Sequence, residues 1–276
     1  MMKSYLKTKD HAVSQEEFEL RHDSDLDMLI TNPQPKQLAK YYESGDYISH
    51  TDSRKSFVDK IYQNVKKYSL SNKLKLISRY HNNEKTLLDF GAGTGDFLAT
   101  AKAKGWQVVG VEPNDGARLK STEKGITLLE DISQAKEKKF QVITLWHVLE
   151  HLPDLEIRIK QLTDNLENSG TLILAVPNFK SYDAKYYKEY WAAYDVPRHL
   201  WHFSKTAIEK LFEPHAMKLI ATKPMIFDSF YVSLLSEKYK TGKQNFLKAM
   251  WIGLRSNINA WQTKEYSSHI YILRKA

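Results

Sequence analysis

The sequence predicts an α/β fold in which helices cover both faces of a doubly wound, mostly parallel sheet. Two observations support this prediction. Short apolar runs alternate with amphipathic or polar segments between residues 86 and 176, and Gly, Pro, Asp or Asn bounds each run. Such runs are typical of βαβ units, whose parallel strands are buried on both faces. Right-handed crossovers between parallel strands lead to an open sheet.

The predicted strands follow one another at intervals that leave room for crossover helices. Five of them are residues 86–90, 106–111, 126–129, 140–146 and 171–176, and two more are predicted at 218–222 and 268–273. Between these last two strands, apolar and aromatic side chains recur at helical spacing. We therefore predict seven strands and a helical insertion over residues 228–264.

The first 80 residues are polar and aromatic and lack strong strand alternation. Phe57, Ile61, Val65 and Tyr68 recur at helical spacing. We therefore predict that residues 1–80 form an N-terminal helical cap or lid, ahead of a core that spans residues 81–276.

Composition limits the chemistry. A chain of 276 residues is long for one domain and short for two, which favours one core with additions. No cysteine is present, which excludes disulfides, thiolate metal sites and cysteine nucleophiles. The formal net charge is +8, but the lysines are dispersed, so a nucleic-acid partner is not expected. Neither a signal peptide nor a membrane-spanning run is recognised, and a cytoplasmic location is expected.

A glycine-rich turn directly follows the first predicted core strand. Residues 89–98 read D-F-G-A-G-T-G-D-F-L, with glycines at three alternate positions. Such a turn lets the backbone approach a ligand closely and opens a helix whose first N–H groups are free. Asp89 can hold a ligand ammonium group, and Glu112, at the end of the next strand, suits the hydroxyls of a ribose.

Two cofactors compete for this turn. Dinucleotides prefer G-x-G-x-x-G because a pyrophosphate sits on the helix N-terminus. Here the last glycine position of that motif is Asp96, whose carboxylate would repel a pyrophosphate. S-adenosylmethionine carries no phosphate and is compatible with carboxylates. The sequence therefore favours S-adenosylmethionine, with an NAD(P)-dependent oxidoreductase and a non-catalytic cofactor-binding protein as alternatives.

The string D-x-G-x-G-x-G with its following acid resembles motif I of the class I S-adenosylmethionine-dependent methyltransferases. The resemblance covers about residues 84–180 and implies a Rossmann-like sheet with strand order 3-2-1-4-5-7-6. It also implies a set of cofactor-binding residues along the ends of the first four strands: Asp89, Gly91, Gly93, Gly95, Phe97, Glu112, Pro113, Asn114, Asp131, Ile132, Trp146 and His147.

A tyrosine-rich segment precedes the core. Residues 41–50 resemble the segment that closes over the cofactor in this group. We therefore predict that Tyr47 and His50 cover the methionine end of the cofactor.

The fourth strand ends in a histidine-rich turn. Residues 145–154 resemble the motif IV region of methyltransferases related to quinol O-methyltransferases, some of which carry a metal-associated E-x-x-E-H. In this chain His147 replaces the leading carboxylate of that set. For Glu150 and His151, capping of the following helix and a place in the pocket wall are therefore favoured over metal binding, and no metal is predicted.

A second histidine-rich segment lies in an insertion over residues 178–204. Relatives with a D-x-P-x-H element use it as part of the acceptor pocket. His147, His199 and His202 are the candidate catalytic bases, although packed wall positions are an alternative for the last two. The predicted substrate contacts are His151, Tyr194, Asp195, Arg198, which would clamp an acceptor carboxylate or phosphate, and Trp201.

The predicted function is methyl transfer from S-adenosylmethionine to oxygen or carbon of a small or medium-sized acceptor. Aromatic residues in the additions suggest an acceptor that is aromatic or sugar-like, and Arg198 suggests an acidic one. For residues 228–264, a homodimer face, a lipid-facing surface and a lid all remain open.

Overall fold

The computed structural model describes residues 2–42, 57–81, 84–136 and 138–275. Its strands are β1 Met2–Lys9, β2 Glu17–Asp23, β3 Met28–Asn32, β4 Thr86–Phe90, β5 Gln107–Val111, β6 Phe140–Trp146, β7 Leu166–Pro177, β8 Trp201–His202, β9 Met217–Pro224 and β10 Ser268–Lys275. Its α-helices are α1 Phe57–Ile77, α2 Asp96–Lys102, α3 Asp115–Thr122, α4 Leu155–Asp164, α5 Tyr182–Tyr187, α6 Lys205–Phe212, α7 Asp228–Thr241 and α8 Phe246–Thr263.

The central sheet has the strand order β5-β4-β6-β7-β10-β9. β5, β4, β6 and β7 are parallel, whereas β10 runs antiparallel to both β7 and β9. Buried side chains cover both faces, as a doubly wound sheet requires. The predicted α/β class and the mostly parallel sheet are therefore confirmed.

The prediction of seven strands is wrong for the described residues, because this sheet has six. Residues 126–129 contribute only one parallel bridge, from Leu129 to Val111 at the β5 edge. Just before it, the N–H of Ile126 donates to the Ser121 carbonyl, so the backbone there belongs to a turn. Only the last residues of the segment remain to pair with β5.

The prediction of a helical cap is wrong for the N-terminal residues. β1, β2 and β3 form an antiparallel sheet that β8 completes. Phe18, Leu20 and Leu29 are buried against the aromatic insertion, so tertiary packing outweighs the weak local pattern. The helix predicted from Phe57 onward is present as α1.

Two helices, α7 and α8, fill the segment in which a helical insertion was predicted. Across the described ranges, no helix combines the length and hydropathy that a membrane crossing needs.

Candidate functional site

The glycine turn positions the backbone between β4 and α2. Gly91 has φ +75°, and a Cβ there would lie 2.4 Å from a methyl carbon of Val148. Gly93 has φ +53°, and a Cβ there would meet no atom within 4 Å. Positive φ and close approach explain why glycine is needed. The open side at Gly93 leaves room for a ligand against the loop backbone.

Glu112 holds the end of β5 against this turn. Its carboxylate accepts hydrogen bonds from the N–H groups of Gly93 at 2.8 Å and Asn114 at 3.0 Å. The loop and the second strand are thereby fixed side by side, as a ribose site needs. Ribose binding by Glu112 stays a prediction.

Asp89 is buried at the end of β4. It accepts a hydrogen bond of 2.6 Å from the Thr144 hydroxyl on β6. Burial raises the pKa of Asp89 to about 7, although Thr144 and Lys73 act in the opposite direction. A cationic ligand group beside Asp89 would favour its ionised form.

Asp96 is not the free carboxylate that the sequence suggested. It lies 3.0 Å from the ammonium groups of both Lys66 and Lys124 and accepts a hydrogen bond from Thr94 at 2.8 Å. Burial acts to raise the pKa of Asp96, but the two lysines lower it below its usual value. Its charge is compensated, so its repulsion of a pyrophosphate is weaker than we inferred from the sequence.

The remaining predicted adenosine contacts lie in turns after β5 and after residue 129. Asn114 caps α3 by accepting from the N–H of Ala117 at 2.9 Å, directly after Pro113. Asp131 caps a short 3₁₀ turn by accepting from the N–H of Ser133 at 2.9 Å, while Ile132 is buried in the core. Their roles toward the cofactor stay predictions.

Trp146, at the end of β6, forms part of a cation-binding position. The ammonium of Lys73 lies 4.3 Å from the centre of its ring, and Phe97 contacts the ring edge at 5.8 Å. Lys73 is also attracted by the carboxylates of Asp89 and Asp228. An aromatic face close to carboxylates favours a positive group at this point.

His147 lies between two carboxylates. Its Nδ1 is 3.3 Å from Glu150 and its Nε2 is 3.2 Å from Asp228 at the start of α7. Burial acts to lower the pKa of His147, but both carboxylates raise it, to about 10. The two carboxylates therefore favour the protonated form of His147, which disfavours its predicted role as a general base. Its backbone φ of +57° is uncommon and typical of functional sites.

A second histidine group lies next to it. The ligand atoms of Glu150, His151 and His199 all lie within 4.8 Å of one another, and the two rings pack edge to face at 4.5 Å. Glu150 is buried, and its carboxylate lies 3.3 Å from Nδ1 of His147. Burial and the neighbouring His199 lower the pKa of His151 to about 4. The set has the spacing of metal ligands, although we predicted no metal from the sequence.

The orientation of His199 follows from its contacts. Its Nδ1 lies 2.9 Å from the Ala193 carbonyl oxygen, and its Nε2 lies 3.9 Å from Asp195. Because a carbonyl only accepts, Nδ1 carries the proton in the neutral ring. Nε2 is then the atom of the neutral ring that can accept a proton.

Arg198 is a structural residue. Its guanidinium is 2% exposed and donates to Asp195, to Asp10 in the turn after β1 and to the carbonyl of Tyr41. These partners occupy the planar fork, so the prediction that Arg198 clamps an acceptor carboxylate or phosphate is wrong. Asp195, which was predicted to contact the substrate, accepts a hydrogen bond from this guanidinium.

His202 and Tyr194 are wall residues. The Nε2 of His202 lies 3.1 Å from the Thr31 hydroxyl, which itself donates to the carbonyl of His199. Burial holds the pKa of His202 well below its usual range, and Tyr194 packs edge to face on it. Trp201 donates to the Leu152 carbonyl. The candidate catalytic role of His202 is therefore not supported by its position.

Sequence reasoning missed three residues of this site. Asp228 and Lys73 come from distant helices, and Tyr42, whose hydroxyl lies 3.1 Å from Nδ1 of His151, comes from the N-terminal region. No local motif marks Asp228 or Lys73, whereas Tyr42 belongs to the segment 41–50 in which only Tyr47 and His50 were predicted as contacts. The predicted covering residues Tyr47 and His50 lie outside the described residues.

Comparison with known proteins agrees with this geometry. The sequence profile of a family described as "Methyltransferase domain" matches residues 62–219, more than half of the chain. Ubiquinone biosynthesis O-methyltransferase from Serratia proteamaculans is 35% identical over 81 residues, which are 26% of this chain and 34% of that protein. The corresponding protein from Actinobacillus pleuropneumoniae is 36% identical over 109 residues, which are 34% and 46% of the two chains. The match thus spans less than half the length of these curated relatives.

Solved structures share the fold. Magnesium protoporphyrin IX methyltransferase from Synechocystis PCC 6803, with bound S-adenosylhomocysteine, aligns with a TM-score of 0.56 at 15% identity and covers 86% of this chain and 97% of its own. The cyclopropane synthase MmaA2 from Mycobacterium tuberculosis aligns with a TM-score of 0.53 at 13% identity, and the alignment covers 74% of this chain and 83% of the synthase.

The chain belongs to the methyltransferase domain family, and its glycine turn and sheet are those of the class I S-adenosylmethionine-dependent enzymes. S-adenosylmethionine is accordingly the cofactor that this family membership assigns, and the oxidoreductase alternative is not favoured.

Proposed function

We propose that this protein transfers a methyl group from S-adenosylmethionine to a hydroxyl group of a small acceptor. One observation carries the proposal. Asp89 lies on β4 and the glycine turn follows that strand, while His147 and His151 follow the neighbouring parallel strand β6, whose Leu145 pairs with Phe90. Ligands of open α/β sheets bind at this carboxyl edge, so donor and acceptor would meet there.

The donor side fits a cationic cofactor. S-adenosylmethionine supplies an electrophilic methyl group on a sulfonium when it is bound. The Trp146 face and the carboxylates of Asp89 and Asp228 attract the ammonium of Lys73, although burial lowers the pKa of Lys73 overall. The turn at Gly93 gives the ligand access to the loop backbone.

On the acceptor side, His199 is the proposed base. His147 is protonated between its two carboxylates, and His151, with a pKa of about 4, is a weak base. A ring nitrogen of His199 lies within 4.8 Å of the buried carboxylate of Glu150, which would stabilise the imidazolium formed when His199 takes the hydroxyl proton. His151 and Tyr42 would orient the acceptor.

An oxygen nucleophile is favoured over carbon. The curated relatives are named O-methyltransferases, and a hydroxyl needs the base that His199 provides. Because the guanidinium of Arg198 is fully engaged, the proposed acceptor is an aromatic hydroxyl compound rather than a phosphate or carboxylate. A cytoplasmic location and the absence of a nucleic-acid substrate belong to the same proposal.

Two measurements test the proposal. Calorimetric titration should show binding of S-adenosylhomocysteine and none of NAD, and the reverse result would overturn the cofactor assignment. A panel of catechols and phenols would then be assayed for S-adenosylhomocysteine release. His199→Gln should keep cofactor affinity and lower kcat by roughly 10² to 10⁴, while the control His215→Gln, in a partly exposed 3₁₀ turn, changes neither. Unchanged kcat in His199→Gln would exclude this residue as the base.

A further inference from the structure

Helix α8 carries an apolar stripe on its outer face. Leu247, Trp251, Leu254, Ile258 and Trp261 recur at intervals of three or four residues, and their side chains are between 42% and 82% exposed. This spacing places all five on one side of an α-helix. Contiguous exposed apolar surface of this kind marks an interaction site.

The opposite face fixes the orientation of α8. Ala249, Ile252, Gly253, Ser256 and Ala260 are buried. A Cβ at Gly253 would lie 2.9 Å from the Cα of Phe230 on α7, so the two helices are in close contact. The stripe therefore cannot turn inward without losing this packing.

Neighbouring residues widen the apolar surface. The side chain of Asn257 donates to the carbonyl of Ile226 at 2.9 Å, which holds the start of α7 beside α8. Ile226 and Phe227 there are also exposed, as is Phe246 at the first turn of α8. Asp228, next to Phe227, contacts His147, so this surface adjoins the candidate site.

Helix α8 carries basic side chains and no acidic ones. Residues 246–263 contain no Asp or Glu, whereas Lys243, Lys248, Arg255 and Lys264 lie along or beside the helix. Lys248 lies 3.2 Å from the buried Glu237, and Arg255 lies over the ring of Tyr182. Basic residues beside a Trp- and Leu-rich face are typical of helices that lie in a lipid headgroup layer.

We propose that this face docks on an anionic membrane surface, with α8 parallel to the membrane plane. The apolar stripe would enter the headgroup boundary, and the basic residues would contact lipid phosphates. A second copy of the chain fits less well. A two-fold contact brings the same patch against itself, so cations would face cations and α8 offers no carboxylate to receive them.

Co-sedimentation of the full chain with vesicles tests this proposal. We expect binding to vesicles of phosphatidylglycerol and phosphatidylcholine, loss of binding at high salt, and weaker binding to phosphatidylcholine alone. The double variant Trp251→Ser and Trp261→Ser should bind at least about tenfold more weakly, because two large side chains no longer enter the lipid. Ile157→Ser, which changes a similarly exposed apolar residue on α4, is the matched control and should bind as the parent does.

A second measurement distinguishes a membrane from a second copy of the chain as the occupant of this face. Sedimentation velocity without vesicles should show the same species for the parent and the double variant. Failure of the parent to bind anionic vesicles would overturn the proposal. So would a parent dimer that the double variant converts to a monomer, which would assign the face to a second copy.

Discussion

The cofactor half and the acceptor half of the site are built in different ways. Most of the cofactor half comes from one continuous stretch, residues 86–115, in which strand, turn and helix follow each other directly, and Trp146 and Asp228 add to it from elsewhere. The acceptor half is assembled from the end of β6, the segment around residues 195–202, the N-terminal sheet and the start of α7. Local backbone geometry forms the first half, and long-range ion pairs hold the second.

The acceptor half also contains an internal contrast. His147 and His151 are only four positions apart in the sequence. Nevertheless the pKa of His147 is raised to about 10, and that of His151 is lowered to about 4. His147 contacts two carboxylates, whereas His151 is desolvated beside another histidine. Residue type alone therefore says little about which histidine can accept a proton.

The largest expected effect concerns the ion pairs that hold the acceptor half together. Arg198→Leu leaves the carboxylates of Asp10 and Asp195 without their shared cation in a buried site. We expect it to lower the free energy of unfolding by about 3–5 kcal/mol, measured by urea denaturation. Arg21→Leu, which breaks the exposed pair with Glu19, should cost at most about 1 kcal/mol. An Arg198→Leu protein with parental stability and a raised KM would restore Arg198 as an acceptor contact.

The next effect tests the local construction of the cofactor half. Gly93→Val places a side chain at φ +53° on the open side of the turn, where the ligand would lie. We expect the Kd of S-adenosylhomocysteine to rise by more than about hundredfold, by calorimetry. Gly105→Val is the matched control, because it also has positive φ and open space but lies outside the site. Both should lose roughly 1–2 kcal/mol of stability. Equal Kd values for the two would show that the ligand does not approach Gly93.

The third prediction concerns the two histidines, whose effects on stability change with pH. His147 is protonated in the folded protein up to about pH 10, against about 6.5 when unfolded. Its contribution to stability is complete below about pH 6.5 and is lost toward pH 10. His151 stays neutral down to about pH 4, so its contribution is present above about pH 6.5 and lost as the pH falls.

Melting temperatures across pH check this contrast. The difference between the parent and His147→Gln should shrink from pH 6.5 to 10, and that between the parent and His151→Gln should shrink from pH 6.5 to 4. Asp228→Asn should lower the pKa of His147 in an NMR titration, because it removes one carboxylate partner. If the melting temperatures of both variants changed with pH in the same way as that of the parent, the surroundings of His147 and His151 would not differ as described.

Sequence reasoning succeeded where neighbouring residues decide the structure. The glycine turn, the strand ends at Asp89 and Glu112 and the helices of residues 228–263 follow from patterns within a few residues. It failed where distant residues decide. The N-terminal strands pair with Trp201–His202, Arg198 pairs with Asp10, and Lys124 and Lys66 neutralise Asp96.

The sequence by itself determined the fold class, the cofactor and the region of the site, because backbone turns, hydrophobic periodicity and strand-end carboxylates are local properties. Only the tertiary structure decided the charged surroundings of each histidine and the partners of Arg198. Those properties depend on burial and on charges within about 4 Å, and Asp228, Asp10 and Lys73 come to that distance from remote parts of the chain only through folding.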